Sequence, residues 1–214
     1  MSDTTLVIAP TVLAGTHVRL EPLSRGHVPA LLAAAREDPT LYAWSEIPQG
    51  VSEMAQYVDR AITAREAGTA MPLATVRLAD DRVIGSTRFF DIEHWSWPAG
   101  HANARRGGAD GCEIGYSWLG AAAVRSAANT EAKLLMLSHA FDSWAVHRVC
   151  FHTDVRNARS RAALERIGAR FEGVLRAHRL AADLIPRDSA RYSIVAGEWP
   201  QAKRHLQALL TAQR

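Results

Sequence analysis

Three short stretches in the second half of the chain carry residue types that could do chemistry. The first is Glu113-Ile-Gly-Tyr-Ser-Trp-Leu119. A glycine inside a strand marks a bulge or a close backbone approach. A strand opened there would free backbone N–H groups for a carbonyl oxygen, as an oxyanion hole requires. Glu113 beside such an opening could take a proton from an amine, directly or through one water. A solvated strand residue or an ion-pair partner is the competing use of Glu113. The second stretch is the loop 120–130, Gly-Ala-Ala-Ala-Val-Arg-Ser-Ala-Ala-Asn-Thr. Its small residues Ala127 and Ala128 let a ligand approach the backbone. Ser126, Asn129 and Thr130 can hydrogen-bond it or cap the following helix. Arg125 can neutralise phosphate charge. A helix N-terminus adds free N–H groups and a positive dipole end. The competing use is an alanine-rich loop before a capped core helix. The third stretch is 154–161, with Asn157 just before a helix and Ser160 in its first turn. An amide there can hold an amide-rich cofactor arm, and a hydroxyl can protonate a leaving thiolate. Helix capping is the commoner use of both residues.

These stretches need elements to position them. Residues 148–153 read as a strand between helices at 130–144 and 160–167, so the core order is β-α-β-α. Leu134, Leu137, Phe141 and Trp144 recur at helical spacing, and Gly168 fits a left-handed stop after the second helix. Upstream, 17–22 alternates as a strand and 27–36 as a short helix broken by Asp38-Pro39. Ser52 is the expected N-cap of a helix running to Ala67, with Met54, Val58, Ala61 and Ile62 on one stripe. Residues 71–78 and 83–92 form two strands about an Asp80-Asp81 turn. Residues 171–180 and 189–196 form a final hairpin, and 201–212 a last helix. The pattern is α/β of the α+β kind: one domain over 13–214 after a loose arm at 1–12, with about seven mostly antiparallel strands flanked by helices.

At 214 residues the chain suits one substantial domain. No apolar run reaches the roughly 20 residues that span a bilayer, and the first residues lack a signal-peptide pattern, so a cytoplasmic location is the expectation. Net charge is +3. Lysine occurs only at Lys133 and Lys203, so arginine carries the basic charge. Arginine suits bidentate recognition of phosphate or carboxylate; a compositional bias is an equal explanation. No aromatic-and-basic patch points to nucleic acid. Cys112 and Cys150 lack partners at metal-ligand spacing and read as reduced core thiols; no metal is expected. The loop 94–111, with Trp95, Trp97, His101, Arg105 and Arg106, reads as part of an acceptor site, a subunit contact in a homodimer, or a surface excursion.

Taken in order, Glu113–Leu119, Asn129-Thr-Glu-Ala-Lys133, Asn157-Ala-Arg-Ser-Arg161, Ile167-Gly-Ala and Phe171-Glu-Gly173 give the chain a family likeness. From about residue 13 to 200 it resembles the GNAT superfamily of acyl-CoA-dependent N-acyltransferases. Within that superfamily it looks like the branch holding the ribosomal-protein N-terminal acetyltransferases. The resemblance implies a sheet splayed at the strand of Glu113 and a pantetheine arm pairing near Trp118 and Leu119. It implies a pyrophosphate on Arg125, Ser126, Ala127, Ala128, Asn129 and Thr130, and Asn157 on the cofactor arm. Ser160 would be the general acid, and the donor acetyl-CoA. The family's pyrophosphate loop has Gln or Arg, then glycine-type residues, where this chain has Val124, Ala127 and Asn129, with Arg125 one place later. Alanine does not take φ > 0 cheaply, so the loop must be built without a left-handed residue at Ala127.

The implied reaction is direct attack of a primary amine, from a protein N-terminus or a small molecule, on the thioester. Glu113 is the expected base and Asp91 the second candidate. Substrate would enter between 42–50 and the last hairpin. The alternative is a non-catalytic CoA-ester binding or regulatory module with a degenerate pyrophosphate loop. Thermal stabilisation by CoA separates the readings.

Overall fold

The computed structural model describes residues 11–105 and 108–212. Along the chain lie β1 (Leu13–Ala14), β2 (Val18–Pro22), α1 (Val28–Arg36), α2 (Val51–Glu66), β3 (Ala70–Arg77) and β4 (Arg82–Glu93). They are followed by β5 (Gly111–Leu119), α3 (Ala128–Ser138), β6 (Arg148–Asp154) and α4 (Ala158–Arg166). The chain ends with β7 (Arg170–Leu180), β8 (Pro186–Val195) and α5 (Trp199–Thr211). One eight-stranded sheet has the order β1-β2-β3-β4-β5-β6-β8-β7. Every neighbouring pair is antiparallel except β5 with β6. That single parallel pair needs a crossover, and α3 supplies it.

Strand alternation sends side chains to two apolar layers. On one face α1 and α2 bury Leu31, Met54, Val58 and Ala61 against Ala74 and Trp118. On the other, α3, α4 and α5 bury Met136, Leu137, Leu164 and Leu206 against Phe89, Ile114, Phe151 and Tyr192. The first layer covers β2 to β4 and leaves its side of β5, β6 and β8 open for a cleft.

Glu131 fixes α3 to the sheet edge. Its carboxylate accepts hydrogen bonds from Thr16 N (2.9 Å), Thr16 Oγ1 (2.7 Å), His17 N (2.6 Å) and Val18 N (2.7 Å). It thereby gathers the turn between β1 and β2. Burial works against its ionisation, yet these donors outweigh burial and hold the carboxyl below its ordinary range.

The mostly antiparallel sheet of about seven strands is present with eight, the extra one being the two-residue β1 that pairs Leu13 with Leu20, too short a run to read from alternation. Several sequence expectations are corrected. The N-cap of α2 is Gly50, not Ser52. The Glu53 carboxylate folds over Gly50, where any Cβ would collide with it. α3 stops at Ser138 and continues as a π-helical turn, His139–Ser143, rather than as a regular helix to Trp144. Of the expected arm 1–12, residues 1–10 lie outside the described residues.

Candidate functional site

The sheet opens where the parallel pair ends. β5 meets β6 only over Gly111–Glu113, opposite Arg148–Cys150. β6 then continues beside β8 to Asp154, while β5 continues beside β4 to Leu119. Ile114 to Leu119 therefore has no strand partner on its β6 side, a free edge of about 20 Å at 3.3 Å per residue. The β4–β5 register skips between Ser86 and Arg88, and Tyr116 takes a left-handed φ of 49° in the bulge. Such a conformation costs a non-glycine residue roughly 1–2 kcal/mol. It turns backbone groups out of the ladder at the middle of the free edge. Trp118 is buried under α1 and α2 with its Nε1 unpartnered, and the Leu119 carbonyl accepts from the Tyr42 hydroxyl at 3.0 Å.

The loop at the end of β5 is built around a different residue than expected. Ala127 is an ordinary right-handed residue (φ −64°), and Arg125 takes the left-handed position (φ 62°) with its side chain exposed. Ser126 Oγ donates to Ala123 O (2.7 Å) and accepts from Ala128 N (3.2 Å), so it caps the first turn of α3. Asn129 N–H and Thr130 N–H belong to the same turn and have no carbonyl upstream in the helix to receive them. Thr130 itself is fully buried, and its hydroxyl accepts from Arg166 at 2.8 Å. Backbone amides, a capping serine and an exposed arginine thus meet at one positive helix end, a fit for a pyrophosphate.

Across the opening stands α4. Asn157 Oδ1 accepts from Ser160 N at 3.0 Å, so Asn157 caps α4 while Ser160 gives only its backbone N–H. The Asn157 amide nitrogen and the Ser160 hydroxyl take no hydrogen-bond partner among the described residues, and Ser160 is half-buried. Arg159 reaches back to the Leu41 carbonyl (2.5 Å). Arg156 lies over the Trp44 ring (4.3 Å) and bonds Asp154 and Asp183, both at 2.7 Å. The expected access route between 42–50 and the last hairpin is therefore bridged by Trp44, Arg156 and Asp183.

Glu113 is 4% exposed and points into the cleft on the uncovered face. His152 Nδ1 lies 2.8 Å from its Oε2, out of line for a hydrogen bond, and Arg179 Nη2 lies 3.4 Å from the same oxygen. Asp91 is mostly exposed and sits 3.2 Å from Arg179 on the outer side. The His178 ring centre is 4.9 Å from that of His152. Burial, then Arg179, pushes His178 below its ordinary pKa. A bulge between Leu175 and Arg179, with Ala177 left-handed (φ 46°), brings this end of β7 over the cleft.

Beneath the bulge of β5 lies Lys133. Its Nζ donates to Ser117 Oγ at 2.7 Å, and Ser117 Oγ shares a 2.6 Å hydrogen bond with Thr87 Oγ1. No carboxylate pairs with it among the described residues. Burial alone lowers its pKa to about 7.

Glu113, Trp118 and Leu119 lie along β5, residues 125–130 at the start of α3, and Asn157 and Ser160 at the start of α4, which follows β6. Sequence reasoning assigned nothing to His152, His178, Arg179, Arg88 or Lys133. A signal existed for His152: Cys150, His152 and Asp154 put polar types on one face of a central strand, opposite Phe151. Lys133, one turn into an apolar helix, was the other. The loop 94–111 lies elsewhere. Trp95 stacks on His147 (5.3 Å), and Trp97 stacks on His101 (4.6 Å) and bonds Asp110, beside the first residues of β5 and β6. Arg106 lies outside the described residues. Cys112 and Cys150 are free and buried, on opposite faces of adjacent strands. Among the described residues no three His, Cys, Asp or Glu side chains are grouped to hold a metal ion, and no helix is long and apolar enough to cross a membrane.

The sheet is thus splayed at its one parallel pair, with an anion-ready helix end following the strand that leaves it. The chain belongs to the GNAT acetyltransferase family: the family's acetyltransferase domain matches residues 17–170. No curated protein sequence matches it. Among solved structures, a GCN5-related N-acetyltransferase from Brucella melitensis is 28% identical over 96% of this chain and 90% of its own, with a TM-score of 0.79. RimJ from Mycobacterium smegmatis, in complex with CoA-disulfide, shares the fold at 23% identity and a TM-score of 0.73, over 94% of this chain and 93% of its own. The Microcin C7 self-immunity acetyltransferase MccE, in complex with acetyl-CoA and AMP, shares it at 20% identity and 0.68, over 85% and 93%.

Proposed function

We propose that the protein is an N-acetyltransferase that moves an acetyl group from acetyl-CoA to a primary amine within a ternary complex. The observation that carries this reading is the free edge Ile114–Leu119 ending beside the uncapped amides of α3, with buried Glu113 at the root of the same opening. The relatives bound to CoA species support the cofactor. Bound acetyl-CoA supplies an activated acetyl carbonyl.

The chain's own residues do the rest. The Asn129 amide, the surface of the turn at Ser126, Ala127 and Ala128, and the Arg125 guanidinium hold the pyrophosphate, while fully buried Thr130 fixes the turn to Arg166. The edge at Trp118 and Leu119 pairs with the pantetheine amides, which requires the Tyr42 hydroxyl to share the Leu119 carbonyl. Asn157 offers its amide N–H groups to the same arm. Backbone N–H groups at the Tyr116 bulge orient and polarise the acetyl oxygen. Glu113 takes the ammonium proton through one water, since its carboxyl is buried. Ser160 donates its proton to the departing thiolate as the C–S bond breaks and regains one from the nitrogen that has formed the new C–N bond. The protein acts mainly by holding both reactants in line.

The test mixes protein, acetyl-CoA and a panel of amines and N-terminal peptides and follows thiol release. Ser160→Ala is expected to lower kcat by about 10- to 100-fold, within the span of acid–base contributions, with CoA affinity unchanged. A wild-type enzyme inert on the whole panel, though stabilised by CoA, would favour a binding module instead.

A further inference from the structure

On the uncovered face, between Glu113 and α2, one cation has no partner of opposite charge. Arg88 is 8% exposed. Its guanidinium carbon lies 3.9 Å from the centre of the Tyr116 ring and 5.4 Å from that of Tyr57. Among the described residues it donates no hydrogen bond and no carboxylate lies within ion-pair distance. The polar atoms sealed from solvent without a partner are Gln49 Oε1, Trp118 Nε1, both ring nitrogens of His152, His178 Nδ1 and Arg191 Nε; none belongs to Arg88. The guanidinium is thus packed against two aromatic rings, and none of its nitrogens is sealed from solvent without a partner.

Burying a cation this far without an anion is costly, and two ring faces return only part of that cost. A guanidinium packed on an aromatic ring keeps its donors in its own plane, where two of them can grip a planar carboxylate with parallel bonds. The surroundings call for the same charge. Arg179 and Arg187 face this cleft from β7 and β8, and burial, then Arg179, lowers the Arg187 pKa. Asp91 and Glu113 face Arg179, and Asp154 and Glu113 face Arg187, but Asp154 is already bonded to Arg156 and Glu113 is in contact with Arg179 and His152. A second anion would be welcome at Arg88.

The register sets the distance. Arg88 pairs with Gly115 and Glu113 pairs with Phe90, so Arg88 and Glu113 are diagonal neighbours across β4 and β5. Such neighbours are about 7–8 Å apart. One small acceptor can reach both.

We infer that Arg88, clamped between Tyr57 and Tyr116, is a specificity-determining residue that binds a carboxylate of the acceptor, placed a few bonds from the amine that Glu113 serves. This rests on the proposed N-acetyltransferase reading. The carboxylate can belong to a free amino acid or to the acidic side chain of a peptide's first residue. The two sources share the chemistry at Arg88.

The experiment has two readouts on the CoA-loaded protein: calorimetric binding and thiol release with acetyl-CoA. The probes are free α-amino acids with their matched carboxamides, and C-terminally amidated peptides beginning with Asp or Glu against those beginning with Asn or Gln. The carboxylate member of at least one set is expected to win by about 10- to 100-fold, the range of a charge-assisted hydrogen bond pair. Which set shows the gap identifies the source. Arg88→Met should erase the gap while leaving CoA binding and the neutral probe within about threefold; Arg88→Lys should restore part of it. Equal treatment of acid and amide by the wild type in every set, or an equal loss on both in Arg88→Met, overturns the inference. A preference for phosphate-bearing amines over carboxylates overturns it too. Binding preference without turnover of any amine would sink the transferase reading and leave the Arg88 site standing.

Discussion

Replacing Lys133 by methionine should make the protein more stable near neutral pH and less active. The folded lysine has its pKa lowered to about 7 by burial, against roughly 10.4 in an unfolded chain. The unfolded state therefore binds more protons between about pH 7 and 10.4, and stability rises with pH across that window. Below about pH 7 both states are protonated and the penalty is full and constant. At about 1.36 kcal/mol per pKa unit the penalty is roughly 4–5 kcal/mol. Methionine has a similar length and no charge. It also removes the 2.7 Å bond to Ser117, worth about 1 kcal/mol. The net expectation is a gain of about 2–4 kcal/mol at about pH 6, shrinking to none or a small loss by about pH 10. Urea unfolding of both proteins at several pH values measures it. Thiol release should fall in the same variant, because Ser117 loses the donor that fixes it under the Tyr116 bulge. A variant no more stable than wild type at about pH 6, with a difference independent of pH, would refute the reasoning.

Glu131→Gln keeps the size of a side chain that gathers four donors but removes its charge. It should cost about 1.5–3 kcal/mol at neutral pH. Because the folded carboxyl titrates below its unfolded value, that stability is present above about pH 4.3 and is lost as pH falls through the folded pKa, so the variant's melting should be flatter in acid. Glu113→Gln should lower kcat by about 10²- to 10⁴-fold and leave CoA binding intact; an unchanged pH–rate profile would move the base elsewhere. Arg125→Ala should weaken CoA by about tenfold in calorimetry and reduce its salt dependence, while melting of the ligand-free protein stays within about 1 kcal/mol of wild type.

The order of elements and the residues around the opening were legible in the sequence, because they depend on local rules. Helical spacing marked α3 and its π-helical continuation, the Asp80-Asp81 turn marked β3 and β4, and Gly115 marked the bulged strand. The loop 120–130 was legible only in part. It departs from the family pattern at Ala127, and neither the place of the left-handed turn nor the residue that caps α3 could be read from residue types alone. Arg125 takes the turn and Ser126 the cap, since closure of a loop between two packed elements decides which residue bears the strain.

What the sequence by itself determined was the supply of parts: a carboxylate, a capping asparagine and serine, an arginine beside small residues, and the family they spell together. What only the tertiary structure decided was which charges meet. Glu131 stands two residues from Lys133 in the same helix, yet it became the anchor of the β1–β2 turn, while Lys133 turned inward to Ser117 under the bulge. Arg88 and Arg179 lie 91 residues apart in the chain and share one cleft with Glu113. Local propensity depends on neighbours along the chain, whereas burial and charge pairing depend on neighbours across the sheet, and those exist only once the strands have found their register.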